Sequence, residues 1–540
     1  MILKTLKFGL DKMVFEQMTP ALAITSTGQF VIYDQEGIED KVMLIGSNAL
    51  AYLYSHENDG WITLPSPALA GTFGAGACGC FKNTGPNGTA TAGSTTTITT
   101  NLTIPRGLNG YVVRITGGTN AGQERVILSN TTGTNAVITV KDAFPAPIDN
   151  TSTYVLMTGR YYVLGAGTLA AGSFKYWDRA LSAWSGNLSI TNFAASWGTE
   201  GRMVATGACQ TSRDSHFDGS IVSSTSTVMT VNAKFTTNEH INRTIRIIEG
   251  TGVGQVRYIT ANTEDTITVN AAFSVTPTSS SKFMITGIFG GKATSGGATT
   301  ITNAAKTWTN DQWINFQVRI AAGTGVGQVR TITDNDATSL TVAAWTTQPD
   351  NTSYYVIEGN DDYIYVSGNN ATAFYRYSIS ANTWSTMTVA PATRGIGHSL
   401  DWIVNISDSS WNNESNNLVG RYIYSFRGTA TSTLSRYDIT TNSWENLTYG
   451  NQAETFTTGS CACADRNEIY ISKENTGRVF RYIIPQNRIE SFGTFPYPNS
   501  TAVAGNKMWT YNYTEKDDYV KFVYYLSHSL TNLHRCQVIE

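Results

Sequence analysis

Two pairs of cysteines stand two residues apart, Cys78-Gly79-Cys80 and Cys461-Ala462-Cys463. In a β-strand, residues i and i+2 face the same way. Each pair could therefore present two thiolates, and two such strands could build a four-sulfur metal site. Cysteine is also a small apolar residue suited to a crowded strand, so packing is the plainer reading and no metal is assigned. The six histidines are His56, His216, His240, His398, His528 and His534. None makes a HExxH motif or a histidine pair at zinc-finger spacing with cysteine. His528 and His534 are expected to flank a turn on the surface. Paired carboxylates could support glycoside hydrolysis. The candidates Asp361, Asp362, Asp218, Glu414 and Asp465 are scattered, and no Ser-x-Asp-x-Gly-x-x-Trp box accompanies them. No catalytic, cofactor-binding or metal-ligating residue is assigned, and no cofactor is expected.

What must position these residues is read from two sets of internal repeats. The first pairs a large residue with another seven positions on: Tyr54/Trp61, Trp177/Trp184, Tyr377/Trp384, Tyr437/Trp444, Tyr482/Ile489 and Leu526/Leu533. A β-rich run precedes each pair, at 30–34, 161–164, 363–366, 422–426, 468–471 and 508–511. Earlier strands open the units. Three carry a Gly-small-Cys element (76–78, 207–209, 459–461), and a fourth reads Gly397-His398-Ser399.

These residues resemble a Kelch-type β-propeller. The likeness rests on GHS opening a unit, the Ile-Tyr strand and the Tyr-Asp-x5-Trp pair, seen together in 395–449. The resemblance implies four-stranded antiparallel blades, with small residues on the inner strand and aromatics filling the wider space between blades. It also implies that His398 bonds the backbone through a ring nitrogen. Six units imply six blades. The ring would close by face packing, or by an N-terminal strand completing the last sheet.

The second set is three segments of about 65 residues that share one layout, the self-similarity expected of internal repeats. They run over 94–159, 225–287 and 298–359 and share VVRITGGTNAGQER, TIRIIEGTGVGQVR and QVRIAAGTGVGQVR. Each continues into a second β run and a closing strand, which reads as a small β-sandwich or barrel. Arg114, Arg246 and Arg319 match one another, as do Arg125, Arg257 and Arg330. A guanidinium fork can hold carbonyls of the Gly-rich turn, so these arginines are read as folding each module. The G-T-G-x-G-Q turn joins two strands without a helix or lysine, so it is not a nucleotide loop.

The spacings nest one set in the other. One module fits between Trp61 and Trp184, and two fit between Trp184 and Trp384, each after an opening strand. The expected fold is all-β: a six-bladed β-propeller over 1–82, 160–220 and 360–540, with inserted β-modules at 83–159, 221–290 and 291–359. Insertions in one class of loop should leave one face of the propeller.

Composition narrows the function. Lys+Arg number 37 against 40 Asp+Glu, a balance that excludes a basic nucleic-acid binder and a polybasic membrane-surface protein. No apolar run reaches membrane-spanning length, and Asp11, Lys12 and Glu16 interrupt any apolar leader, so neither a membrane span nor a secretory signal is expected. The G-x-G-Q-x-R modules resemble small β-modules of tailed-bacteriophage virion proteins. That resemblance implies a non-enzymatic structural component of a tail, baseplate or appendage, assembled in the host cytoplasm with other virion proteins as a homo-oligomer or ring. The alternatives are a glycan-binding adhesin facing a host surface, and a propeller polysaccharide hydrolase.

Overall fold

A computed structural model describes residues 13–538 apart from 20–29, 34–40, 46–50, 57, 67–76, 166–168, 194–199, 208–219, 233–234, 236, 242, 288, 369–370, 403–417, 419, 430, 449–453, 466–467, 496–506, 516–517 and 527–532. The described residues are all-β and antiparallel, with no helix. His216, His528, Asp218 and Glu414 fall outside them, as does the side chain of Asp465.

Six of the sheets have four strands each. Sheet one is Phe30–Tyr33, Lys41–Ile45, Ala51–Ser55 and Gly60–Leu64. Sheet two is Cys78–Lys82, Arg160–Leu164, Phe174–Asp178 and Ala183–Trp184. Sheet three is Gly201–Ala205, Tyr363–Gly368, Phe374–Ser378 and Thr383–Thr386. Sheet four is Asp401–Trp402, Tyr422–Phe426, Leu434–Asp438 and Ser443–Leu447. Sheet five is Cys461–Asp465, Glu468–Ser472, Arg478–Ile483 and Arg488–Thr494. Sheet six is Lys507–Glu515, Asp518–Leu526, Leu533–Val538 and, at its outer edge, Met13–Met18 from the other end of the sequence. The first strands of successive sheets are neighbours, and the first strand of sheet six lies beside that of sheet one.

All six large-residue pairs are direct cross-strand partners. Five join the third strand of a sheet to the fourth. Leu526/Leu533 joins the second to the third, because Met13–Met18 supplies the last strand of sheet six.

The same turns fasten sheets one to five each to a neighbouring sheet. Tyr377 and Tyr437 donate to Asn382 and Asn442 Oδ1, both at 2.7 Å. Each Asn takes a left-handed turn conformation (φ 51), which its short polar side chain tolerates. Its Oδ1 also accepts from the backbone of the preceding sheet's tail, at Ser189 N and Thr388 N. The paired tryptophans donate to carbonyls there: Trp184 Nε1 to Pro65 O, Trp384 to Ser189 O and Trp444 to Thr388 O, at 2.8–2.9 Å. In sheet five, Asn487 Nδ2 reaches Thr448 O. In sheet one, Asp59 accepts from Tyr54 and Thr19 N, while Trp61 donates to Thr19 O, just past the outer strand of sheet six. The sheet-one turn thus holds the residue that follows the N-terminal strand of sheet six. Asn442→Ala removes two hydrogen bonds and puts a Cβ with no local hydrogen bond at positive φ. An expected loss of about 1–3 kcal/mol in urea unfolding, smaller for Asn442→Gly, checks this turn.

Three larger sheets interrupt the series. One lies between the first and second strands of sheet two, and two lie in sequence between those of sheet three. In the first, Asn87–Thr89 pairs with the closing strand Thr153–Met157, while Ala92–Gly93 pairs with Thr97–Thr99 at the other edge. The pairing therefore runs unbroken across seven strands, over a core that includes Ile98, Val113, Ile115, Ile138 and Leu156. A register shift at Ile127/Ser129 lets one long strand serve both halves, and equivalent shifts fall at Ile259/Ala261 and Ile332/Asp334. Phe289–Lys292 pairs with Tyr354–Glu358, so it is part of the third of these sheets. The core of that third module runs on into the space between sheets three and four, through Trp313, Tyr355, Tyr365 and Trp402.

Candidate functional site

The Gly-rich hairpins of the three modules meet one another. Gly122, Gly254 and Gly327 hold φ of 80°, 86° and 90°. A Cβ on Gly122 would collide with Val326 Cγ2 at 2.5 Å, and one on Gly327 would collide with Ala121. A Cβ on Gly254 would meet Gln123 Oε1 at 2.5 Å. Val256 packs against Ala321 and Val356. Each module thus touches the other two, and glycine permits the approach.

Behind the turns lies a buried cluster of charge. Arg114 Nε donates to Glu124, and Arg246 Nη1 lies 3.3 Å from the same carboxylate. Arg319 grips Glu358 through Nε and Nη2, at 2.9–3.1 Å. Lys82, at the end of a sheet-two strand, bonds Asp361 at 2.8 Å and Thr206 O at 2.5 Å. Thr206 follows the first strand of sheet three, and Asp361 precedes the second. The chain therefore leaves sheets two and three for the modules side by side. Burial alone would raise the Glu124 carboxyl, but Arg114 and Arg246 outweigh it and hold it down at about 2.

The matched arginines act differently from expectation. Arg125, Arg257 and Arg330 bond the carbonyls of Ala143, Ala272 and Ala344, in the turn after the second β run. Each also stacks on the next aromatic, Phe144, Phe273 or Trp345. Arg246 Nη1 does reach a Gly-rich turn, but that of the neighbouring module, at Gly122 O. The carbonyls within the hairpin are bonded instead by Gln255 and Gln328, which span Gly252 to Val275 and Gly325 to Thr347. In the first module Gln123 accepts from Arg125, and Asn120 makes the span, to Ala146.

The remaining candidates are dispersed. Cys78 and Cys80 face the apolar layer between sheets two and three, and Cys461 and Cys463 that between sheets five and six. Among the described residues no group of three or more His, Cys, Asp or Glu could hold a metal ion. Burial pushes the Cys78 thiol up to about 12 and Cys80 well above its usual value. Iodoacetamide at pH 8 should therefore leave Cys78 and Cys80 unmodified in the folded chain and label both in guanidinium, as peptide mass mapping would read. His398 is fully buried, with Nδ1 3.0 Å from Gly395 O and Nε2 3.2 Å from Ser367 Oγ. His534, expected at the surface, is buried, because it pairs with Gln17 and Tyr525 inside sheet six. Asp361 and Asp362 are engaged separately. Asp361 is taken by Lys82, while Asp362 accepts from Ser378 Oγ and Ser380 N in a turn.

One carboxyl stands apart. Asp401, on the first strand of sheet four, is buried with Oδ2 unpartnered. Burial raises it to about 6. An acid raised on folding contributes stability while protonated and loses it as pH rises through the folded value. Asp401→Asn should therefore gain up to about 3 kcal/mol over the natural chain at pH 8 and nothing at pH 4, read by urea unfolding at both.

No protein-family model matches the chain, and no curated protein is similar to it.

Proposed function

We propose that this chain is a non-enzymatic structural protein of a tailed-phage virion, in a tail, baseplate or appendage. Its six four-stranded sheets would be the blades of a Kelch-like six-bladed propeller, closed by the N-terminal strand. The propeller is a rigid hub, and the three inserted modules are its contact surface for other virion subunits. One observation carries this reading. Three equivalent modules are locked to one another by glycine-turn contacts and buried ion pairs, on stalks that leave neighbouring sheets side by side. Such a cluster presents repeated surfaces in fixed geometry, which subunit assembly requires and catalysis does not.

Immunogold electron microscopy of particles of the phage encoding the chain tests it. Label is expected on the tail or its appendages. Label confined to infected-cell lysate, with purified particles bare, would overturn it.

A further inference from the structure

The three modules place Arg114, Arg246 and Arg319 at one repeat position, but only two of them have a carboxylate of their own. In the third module Glu358, on the strand beside Arg319, grips that guanidinium through Nε. In the first, Glu124 takes Arg114 Nε instead. The second module has Val256 where the first has Glu124, and Thr286 where the third has Glu358. Arg246 is 3% exposed and Thr286 is 3% exposed. Arg246 Nε and Thr286 Oγ1 are both buried without a hydrogen-bond partner. Thr244 pairs with Thr286 across the ladder as Gln317 pairs with Glu358, so Arg246 and Thr286 stand in the relation of Arg319 and Glu358.

Two buried donors thus stand on paired strands at the register where the sister module carries an anionic group. The local charge points the same way: three guanidinium groups share two carboxylates, while Lys82 and Asp361 neutralise each other. A buried guanidinium N–H and a buried hydroxyl left without an acceptor are each costly. We propose that Arg246 Nε and Thr286 Oγ1 bind a small inorganic anion of chloride size, which takes the place that the Glu358 carboxylate holds beside Arg319. Burial already lowers the Arg246 guanidinium from its usual value, with Arg114 and Arg319 opposing Glu124. A third negative charge relieves that.

The test uses the full chain dialysed into sodium gluconate, with sodium chloride substituted at constant ionic strength. Chloride should raise Tm saturably by several degrees, bromide should replace it, and the 35Cl resonance should broaden. Thr286→Glu supplies the carboxylate, so Tm in gluconate should rise and the halide increment vanish. Equal Tm in chloride and gluconate, or a full halide increment kept by Thr286→Glu, would overturn the proposal. Should Thr286→Glu fail to fold, anomalous scattering from crystals of the natural chain in bromide decides. A peak at Arg246 Nε supports the site, and a peak-free position overturns it.

Discussion

Glu124→Gln should destabilise the folded chain by about 3–5 kcal/mol. The carboxylate is 2% exposed and is the counter-charge of both Arg114 and Arg246. Glutamine keeps the shape and one acceptor but leaves two guanidinium groups buried against a neutral amide. The cost is chiefly that of uncompensated buried charge, not of one lost hydrogen bond. Glu445→Gln is the contrast. Its partner Arg436 is 22% exposed and the Glu445 side chain itself 58% exposed, so water screens the pair and the loss should stay below about 1 kcal/mol. Urea midpoints of the two variants measure the difference. The Glu124 contribution also depends on acid. Because its folded value lies below that of a free carboxyl, the stability is present above about pH 4 and drains away as pH falls toward 2. Similar losses from the two variants would mean the module junction is not a buried charge cluster.

Deleting residues 1–19 should cost about 5 kcal/mol or more. Met13–Met18 pairs along its whole length with Leu533–Val538. Each ladder bond contributes roughly 0.5–1.5 kcal/mol. Thr19 anchors Asp59 through N and Oγ1, and Trp61 through its carbonyl, so the clamp between sheets six and one goes with the strand. The deletion also bares the edge of Leu533–Val538, which invites strand pairing between molecules. The truncated chain should show a lowered Tm and self-association in light scattering, and a peptide of residues 11–20 added in excess should reverse both. A truncated chain that stays monomeric with an unchanged Tm would mean that Met13–Met18 does not complete sheet six.

The seven-residue pairs were legible because a hairpin of fixed length sets cross-strand register, so spacing alone places Tyr437 opposite Trp444. The repeats were legible because each module solves the same packing problem with the same residues. The charge cluster was not. Glu124 and Glu358 are visible as the odd members of aligned positions, yet their meaning depends on modules that meet only in three dimensions. Lys82 and Asp361 stand 279 residues apart, beyond any local pattern. His534 was misplaced because its surroundings come from Met13–Met18, at the far end of the sequence. The arginine forks found carbonyls as their chemistry requires, but the Gly-rich hairpin was already bonded by Gln255 and Gln328, so the next turn received them.

The most direct measurement is a thiol cross-link between Ala121→Cys and Val326→Cys, in the first and third modules, read by intact mass at low protein concentration. Rapid, nearly complete bridging within one chain by a short bifunctional maleimide is expected, because the two turns touch. Two separate single-ended adducts, with no intramolecular bridge, would mean that the modules stand apart.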